Sequence, residues 1–340
     1  MKKTVLVSGG AGFIGSHVTV ELAQAGYEVV IADNMSNCDD TNYKGVCAIL
    51  GFEPEFVKMD FCDTAAVEQL FDSHKIDAVI HFAAFKAVGE SVKEPLMYYK
   101  NNLGSFLNVL EAAKAHGTNV LFSSSATVYG EPDETPVTEK SPRKSATSPY
   151  GNTKQMCEDF LRDSVAAYGM HGIALRYFNP IGAHPSALIG ELPRGVPNNL
   201  VPFITQTAIG KRECLSIFGN DYPTPDGTCL RDYIDIVDLA KAHVCAVRRM
   251  IDGLMDEPYE IFNIGTGRPV SVMELVTAFE KVNGLKLNYR IAPRRAGDVT
   301  AVWADPSLAE SKLGWKASRT VEETLAAAWA WEKHLAAKAQ

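Results

Sequence analysis

The chain has 340 residues, of which 46% are hydrophobic and 22% charged, and its formal net charge is −8. The length suggests two domains, and the hydrophobic content excludes a disordered, collagen-like or low-complexity protein. The negative charge, without a dense cluster of Lys and Arg in the sequence, argues against a nucleic-acid partner.

The cysteines and the N-terminal segment indicate where in the cell the protein is expected to reside. The seven cysteines are scattered, with no CxxC pair and no Cys/His cluster, so we expect reduced thiols and no metal site. Thr4–Val20 carries no Lys, Arg, Asp or Glu and mimics a signal peptide, but glycines interrupt it and Glu21 follows. We therefore predict a cytoplasmic protein without a targeting segment or a membrane span.

In chain order, short β-branched runs alternate with helical patterns over the first half. The predicted strands are Thr4–Ser8, Tyr27–Asp33, Glu55–Asp60, Ala78–Ala84, Asn119–Ser125 and Gly172–Asn179. Apolar positions at helical spacing occur between them, as in Ser16–Gln24 and Asn102–His116. Several strands are apolar almost throughout, which is typical of a parallel sheet covered on both faces.

The pattern changes near residue 180, where loops rich in Gly and Pro begin. Short helices and isolated strands then predict a smaller α+β domain, so we divide the chain into 1–180 and 181–340. Residues 234–265 are expected to return to the first domain, because YEIFNIG resembles another sheet strand. The remaining assignments are strands at Ile261–Ile264 and Leu287–Ile291, loops at Glu131–Pro149 and Phe218–Thr228, and a terminal helix at Glu323–Ala339.

The first strand is followed by a glycine-rich turn, GGAGFIG, that opens the first helix. Gly9, Gly12 and Gly15 have the G-x-x-G-x-x-G spacing that lets a backbone approach a pyrophosphate, although an ordinary βα turn is the alternative. Asp33 ends the second strand, near the distance expected for a carboxylate that binds ribose. No Arg or Lys occurs in residues 34–40, which indicates NAD rather than NADP.

Tyr150 and Lys154 lie four residues apart, so a helix would place both on one face. Pro149 and Ser148 are suited to a helix start. A nearby ammonium and a positive nicotinamide would lower the pKa of the phenol towards a working range. Taken alone, this spacing is more typical of a solvated helix face, but Ser123–Ser125 ends an upstream strand at the same predicted sheet edge.

These segments carry a resemblance. They resemble the extended short-chain dehydrogenase/reductase family, and within it the enzymes that invert carbon 4 of UDP-hexoses. The segments that carry this resemblance are GGAGFIG, HFAAFKAVGES, SSSATVYG, SPYGNTK, RYFNPIGAHP, GNDYPTPDGTCLRDYI and APRRAGD. The resemblance runs nearly end to end. It implies a Rossmann-type doubly wound parallel sheet, a smaller UDP-sugar-binding domain, and a tightly bound NAD that is not consumed. A homodimer formed through two helices of the nucleotide domain follows from the resemblance alone.

By the same resemblance, Tyr150 is the catalytic base, Lys154 holds the nicotinamide ribose, and Ser125 binds the sugar 4-hydroxyl with Thr127 beside it. The sugar is oxidised to a 4-keto form, swings about its bond to the diphosphate, and is reduced on its other face. The implied cofactor contacts are Gly9, Gly12, Phe13, Ile14, Gly15, Asp33, Asn34, Asn37, Asp60, Phe61, Phe82, Ala83, Lys86, Asn101, Tyr150, Lys154 and Phe178. The implied substrate contacts are Ser125, Thr127, Tyr150, Asn179, Asn199, Leu200, Phe218, Arg231, Tyr233, Arg295, Asp298 and Val302.

Two alternatives remain at this point. Related nucleotide-sugar 4,6-dehydratases and decarboxylases carry acidic residues where this chain has Ala126-Thr127, and a non-catalytic NAD-sensing regulator is expected to lack Tyr150, Lys154 or Ser125. Some 4-epimerases carry a tyrosine where Val302 stands. Valine leaves room for an acetamido group, so we expect UDP-GlcNAc and UDP-GalNAc to be substrates as well as UDP-glucose and UDP-galactose.

Overall fold

The computed structural model describes residues 2–295 and 298–338. Within these residues the chain forms thirteen β-strands. They are β1 (Thr4–Ser8), β2 (Glu28–Asp33), β3 (Glu55–Lys58), β4 (Ala78–His81), β5 (Asn119–Ser125), β6 (Gly172–Tyr177), β7 (Asn179–Ile181), β8 (Leu215–Phe218), β9 (Leu230–Asp235), β10 (Tyr259–Ile264), β11 (Pro269–Ser271), β12 (Tyr289–Ala292) and β13 (Ala301–Val302).

Eleven α-helices are formed over the same described ranges, together with a 3-10 turn at Ala126–Tyr129. They are α1 (Phe13–Gln24), α2 (Thr41–Leu50), α3 (Thr64–Ser73), α4 (Val88–Lys93), α5 (Pro95–His116), α6 (Pro149–Tyr168), α7 (Leu200–Ala208), α8 (Ile236–Ile251), α9 (Val272–Asn283), α10 (Ser307–Leu313) and α11 (Val321–Lys338).

Seven strands form the central sheet, in the order β10-β6-β5-β4-β1-β2-β3, and every pair is parallel. Alternate residues of each strand face opposite layers: Val5 and Val7 pack with α1 and α8, whereas Leu6 packs with α3, α5 and α6. Helices on both faces bury the inner strands almost completely, as the apolar runs predict, whereas the edge strand β3 is only partly covered. The Rossmann-type doubly wound sheet is therefore confirmed.

The smaller part of the fold has its own apolar core. β9 lies between β11 and β13 and also pairs with β7, while β8 and β12 form a separate parallel pair. Side chains of α7, α9 and α11 pack on these strands; Ile204, Leu275 and Phe279 are fully buried among them. β10 lies outside this unit because it pairs with β6 in the central sheet. The division at residue 180 and the return of 234–265 stay predictions as domain boundaries.

Several predicted boundaries were wrong. Gly172–Asn179 is not one strand: the central sheet ends at Tyr177, and the chain moves to the second sheet at Asn179, opposite Tyr233. Glu55–Asp60 ends at Lys58 because the Asp60 carboxylate accepts the Cys62 N–H at 2.8 Å and turns the chain. The other shifts are Tyr27–Asp33 to Glu28–Asp33, Ala78–Ala84 to Ala78–His81, Ile261–Ile264 to Tyr259–Ile264, and Leu287–Ile291 to Tyr289–Ala292. The stretches with helical spacing, Ser16–Gln24 and Asn102–His116, lie within α1 and α5.

The predicted terminal helix is present and begins earlier than expected, at Val321. Its predicted last residue, Ala339, lies outside the described residues.

Candidate active site

The glycine turn between β1 and α1 is shaped so that side chains would not fit. Gly9 has φ = +76°, and a Cβ there would lie 2.8 Å from the backbone N of Ala83. A Cβ on Gly15 would lie 2.4 Å from the carbonyl oxygen of Gly9. Gly12 caps α1 without a side-chain hydrogen bond, so the first N–H groups of the helix remain available to an anion.

Asp33 ties the end of β2 to this turn. Its Oδ2 accepts the Ala11 N–H at 3.1 Å, and its Oδ1 accepts the Met35 N–H at 2.9 Å. Burial raises the pKa of the Asp33 carboxyl, and the two backbone hydrogen bonds oppose that rise. Each oxygen retains lone-pair capacity, so the carboxylate can still accept hydroxyl hydrogen bonds from a ribose.

The other predicted cofactor residues lie along the same edge of the sheet. Phe82 and Ala83 follow β4, and Phe178 follows β6. The Asn34 side chain donates to Asp60 at 3.2 Å, joining the segments that follow β2 and β3. Of the remaining predicted residues, those in helices or in the segments after β2, β3 and β4 are Phe13 and Ile14 in α1, Asn101 in α5, and Asn37, Phe61 and Lys86 in the segments. This convergence follows from parallel strands, whose carboxyl ends meet at one edge.

Tyr150 and Lys154 lie in the first two turns of α6. The Ser148 side chain accepts the Gly151 N–H at 3.2 Å, so the predicted N-cap is present. Lys154 is only 5% exposed; its Nζ donates to the Ser123 carbonyl at 2.6 Å and lies 5.8 Å from the centre of the Tyr150 ring. The ammonium and the phenol therefore share one side of the helix, facing β5.

Burial dominates the protonation of this pair. It raises the pKa of Tyr150 to about 12, although a hydrogen bond with Ser125 opposes the rise. It lowers the pKa of Lys154 to about 8, with Cys157 and Glu158 acting in the other direction. Desolvation of the phenolate thus dominates in the protein alone, and the lowering of the Tyr150 pKa by Lys154 together with a bound nicotinamide stays a prediction.

Ser125 and Thr127 flank the same space from the end of β5. The Ser125 hydroxyl accepts the Thr127 N–H at 3.2 Å and so begins the 3-10 turn. Among the described residues, Thr127 Oγ1 is buried and finds no hydrogen-bond partner. Buried hydroxyls are normally satisfied, so this atom is suited to a ligand.

A second group of predicted residues lies on β9 and β13 and in the segment that precedes β13. Asp298 accepts from Arg295 Nη2 at 2.7 Å, and its Oδ1 lies 3.7 Å from Arg231 Nη2. Val302 pairs with Arg231 in the sheet register and packs with Phe178 and its neighbours. Two guanidinium groups thus converge on the carboxylate of Asp298.

The remaining predicted substrate residues are more dispersed. Asn179 pairs with the buried Tyr233 in the sheet register, and Asn199 and Leu200 stand at the start of α7. Phe218 ends β8 with 43% of its surface exposed. Their role as substrate contacts stays a prediction.

One buried network behind the site was missed from the sequence. Arg176 makes two bonds to Glu158, at 2.8 and 2.7 Å, and donates to the Tyr129 hydroxyl at 2.9 Å; both charged side chains are 2% exposed. Ser124 also donates to Glu158, and Tyr129 donates to Asn263 at 2.6 Å. The network joins α6, β5, β6 and β10. The position of Glu158 one turn after Lys154 was the only local signal.

Comparison with known proteins supports a family assignment. A family model described as GDP-mannose 4,6 dehydratase matches residues 6–328. UDP-glucose 4-epimerase of Bacillus subtilis (strain 168) is 51% identical over 96% of both chains, and that of Bos taurus is 47% identical over 98% of this chain and 97% of its own. The chain belongs to the UDP-glucose 4-epimerase family, within the extended short-chain dehydrogenases/reductases.

Solved structures of the family agree with the fold. The UDP-glucose 4-epimerase of Stenotrophomonas maltophila, with bound NAD and formylated UDP-arabinopyranose, is 45% identical over 99% of both chains, with a TM-score of 0.95. The Bifidobacterium longum enzyme, in complex with NAD+ and UDP, is 46% identical over 98% of both chains, with a TM-score of 0.93. The family model is named for a dehydratase, whereas these full-length relatives are 4-epimerases, so the dehydratase alternative is the less supported one. None of the described helices is long and apolar enough to cross a membrane.

Proposed function

We propose that this chain catalyses NAD-dependent 4-epimerisation of UDP-hexoses. The observation that carries the proposal is the grouping of Tyr150, Lys154 and Ser125 at the sheet edge that also bears the glycine turn. Relatives with the same fold at 45% and 46% identity hold NAD together with UDP or a UDP-sugar. UDP-glucose and UDP-galactose are the expected substrates.

The residues present fit a bound dinucleotide. The turn at Gly9 and Gly15 has no space for side chains, and the uncapped start of α1 suits a pyrophosphate. Asp33 suits the adenosine ribose, and Lys154 suits the nicotinamide ribose. When bound, NAD supplies a hydride acceptor and a positive charge next to the phenol.

Tyr150 takes the proton of the sugar 4-hydroxyl and later returns one to the epimerised alcohol. Since burial raises its pKa to about 12 in the protein, the positive charges around the phenol must oppose desolvation for it to serve as a base. Ser125, at the end of β5, orients the 4-hydroxyl. Thr127 Oγ1, buried and unpaired among the described residues, offers a further contact to the sugar.

The UDP group is held away from the reacting carbon, so the keto sugar is free to turn. Arg231 and Arg295 suit the diphosphate because a guanidinium fork makes paired, charge-assisted hydrogen bonds. Asp298 holds both arginines in place and can accept from the uridine ribose. Asn179, Asn199, Leu200, Phe218 and Tyr233 complete the proposed substrate contacts.

The local chemistry favours epimerisation over dehydration. Removal of a proton at carbon 5 and loss of water need an extra acid and base, but Ala126 has no polar side-chain atom and Thr127 does not titrate in the working range. The NAD-sensing regulator is disfavoured because the three groups needed for proton transfer are all present. Re-reduction is then the only reaction open to the keto sugar. After the sugar has turned, this reduction gives the 4-epimer.

Purified protein is expected to interconvert UDP-glucose and UDP-galactose over many turnovers without added NAD and without net accumulation of reduced nicotinamide. The reason is that the hydride leaves and returns within one cycle. Coupled assays on all four UDP-sugars, with bound cofactor quantified before and after, check this. Turnover that consumes added NAD stoichiometrically would indicate a dehydrogenase instead.

Val302 is proposed to leave space for an acetamido group at carbon 2. It lies opposite Arg231 and contacts the cluster that contains Phe178 and Ala126. We expect Val302→Tyr to lower kcat/KM for UDP-GalNAc at least about tenfold relative to UDP-galactose, because a larger side chain narrows the pocket. Val302→Ala is the control and should accept both sugars. An unchanged ratio in Val302→Tyr, or no turnover of UDP-GalNAc by the unmodified protein, would contradict the assignment.

A homodimer and a cytoplasmic location remain part of the proposal. Large apolar side chains are exposed on α5 and α6, including Leu96 at 81%, Leu107 at 44% and Tyr168 at 55%. Such a surface supports pairing through these helices.

A further inference from the structure

Residues 182–199, here called the clasp, connect β7 with α7 and cross between the two parts of the fold. Its first half is a folded-back loop, in which Ala183 and Gly190 form a β-bridge and the His184 N–H donates to Ile189 at 3.1 Å. Its second half ends at Asn199. The clasp is thus a structured segment that begins and ends beside proposed substrate residues.

The first half of the clasp is anchored on the nucleotide side. Ile189 is fully buried against Val20 of α1 and Val46 of α2. The Asn42 side chain and the Gly190 backbone exchange two hydrogen bonds, each 3.2 Å. A Cβ at Gly45 would lie 2.1 Å from the Leu188 carbonyl oxygen, so the two backbones touch here. This half therefore anchors the clasp, and substitutions in it would disturb the packing against α1 and α2.

Arg194, in the second half, holds the loop that follows Asp33. Its Nη1 donates to the Ser36 carbonyl at 2.9 Å, and its Nη2 donates to the Cys38 carbonyl. The same loop carries Asn34 and Asn37, and it is held on its other side by the bond from Met35 N–H to Asp33. Arg194 therefore fixes a loop that carries two proposed cofactor residues, without itself being part of the glycine turn.

Glu191 joins the two ligand sites directly. Its Oε1 accepts from Lys86 Nζ at 3.2 Å and from Asn199 Nδ2 at 2.6 Å. The carboxylate is 11% exposed, and its backbone oxygen accepts from Trp331 at 3.0 Å. One side chain thus contacts a proposed cofactor residue and a proposed substrate residue.

We propose that the clasp retains the dinucleotide, with Arg194 setting how fast NAD leaves and Glu191 making that rate depend on whether UDP is bound. The inference rests on the proposed function: an epimerase has to return the hydride from the cofactor that accepted it. A cofactor lost in mid-cycle would leave a keto sugar and an inactive protein. The contacts of Arg194 and Glu191 oppose that loss from outside the catalytic group.

Exchange of bound NAD against isotopically labelled NAD tests the proposal on the holoenzyme, with and without UDP. Arg194→Ala should speed exchange about tenfold, since it removes two hydrogen bonds from a charged donor. Arg194 is exposed, so the variant is expected to fold. UDP should slow exchange in the unmodified protein and have a smaller effect in Glu191→Ala.

Arg290→Ala is the matched control, because Arg290 is also exposed and donates to Ser216 at 3.2 Å, away from the clasp. Its exchange rate should equal that of the unmodified protein. If the unmodified protein epimerises but Arg194→Ala exchanges NAD no faster, or no faster than Arg290→Ala, the role of Arg194 is overturned and the proposed function stands. Equal slowing by UDP with and without Glu191 overturns the coupling. A protein that neither holds NAD nor epimerises refutes the proposed function itself.

Discussion

Tyr150→Phe is expected to lower kcat for epimerisation about 10²- to 10⁴-fold, the range typical of a lost general base. The substitution removes the phenolic hydroxyl and leaves the ring, which lies 5.8 Å from Lys154 Nζ. Initial rates with UDP-galactose measure the loss. UDP affinity, measured by calorimetry, should stay close to that of the unmodified protein, because Arg231 and Arg295 are the proposed anchors.

Tyr168→Phe is the control for the loss of a hydroxyl. Tyr168 ends the same helix with 55% of its surface exposed, and Lys114 lies over its ring. Its kcat should be unchanged. Retention of more than about a tenth of the activity by Tyr150→Phe would mean that another group carries the proton.

Arg176→Met is expected to destabilise the protein by about 3–5 kcal/mol, which corresponds to a fall in Tm of about 4–7 °C for a chain of this length. The cause is Glu158, which would remain buried with its charge and lose both bonds from the guanidinium. The remaining partners of Glu158 are Ser124 and, at 3.4 Å, the partly exposed Arg143, and we expect them not to replace two short charge-assisted bonds. Thermal unfolding followed by circular dichroism measures the change.

Two further variants distinguish the stability effect of a buried ion pair from that of an exposed one. Arg162, also in contact with α6 carboxylates, is exposed and bonds to Asp159 and Asp163, so Arg162→Met should cost less than about 1 kcal/mol. Arg176→Met combined with Glu158→Leu should recover part of the lost stability, because no buried charge is left. A single Arg176→Met variant with unchanged Tm would show that Glu158 is solvated or paired otherwise.

Local sequence was sufficient for features that depend on local geometry. The glycine turn, Asp33 at the end of β2, and the start of α6 at Pro149 were all predicted, because each follows from backbone constraints within a few residues. The parallel sheet followed in the same way from alternating apolar strands and helices. Arg231, Arg295 and Asp298, in contrast, came from the family resemblance, since isolated charges in loops carry no signal of their own.

Features that depend on tertiary burial could not be predicted. The rise in the Tyr150 pKa that burial causes was not foreseen, because a sequence does not show how far a phenol is removed from water. The interruption at Phe178, between β6 and β7, depends on whether the next residues pair with β5 or with β9. Arg194 and Glu191 were missed because their partners, Ser36 and Lys86, are separated from them by 158 and 105 positions in the chain.

The place of β10 beside β6 has a consequence for synthesis of the chain. When the ribosome has completed β6, the outer side of that strand still exposes unpaired N–H and C=O groups, and residues 178–258 must be made before β10 covers them. An open strand edge is prone to pair with another nascent chain. The central sheet therefore passes through a stage in which aggregation competes with completion, and that stage ends only after residue 264 has left the exit tunnel.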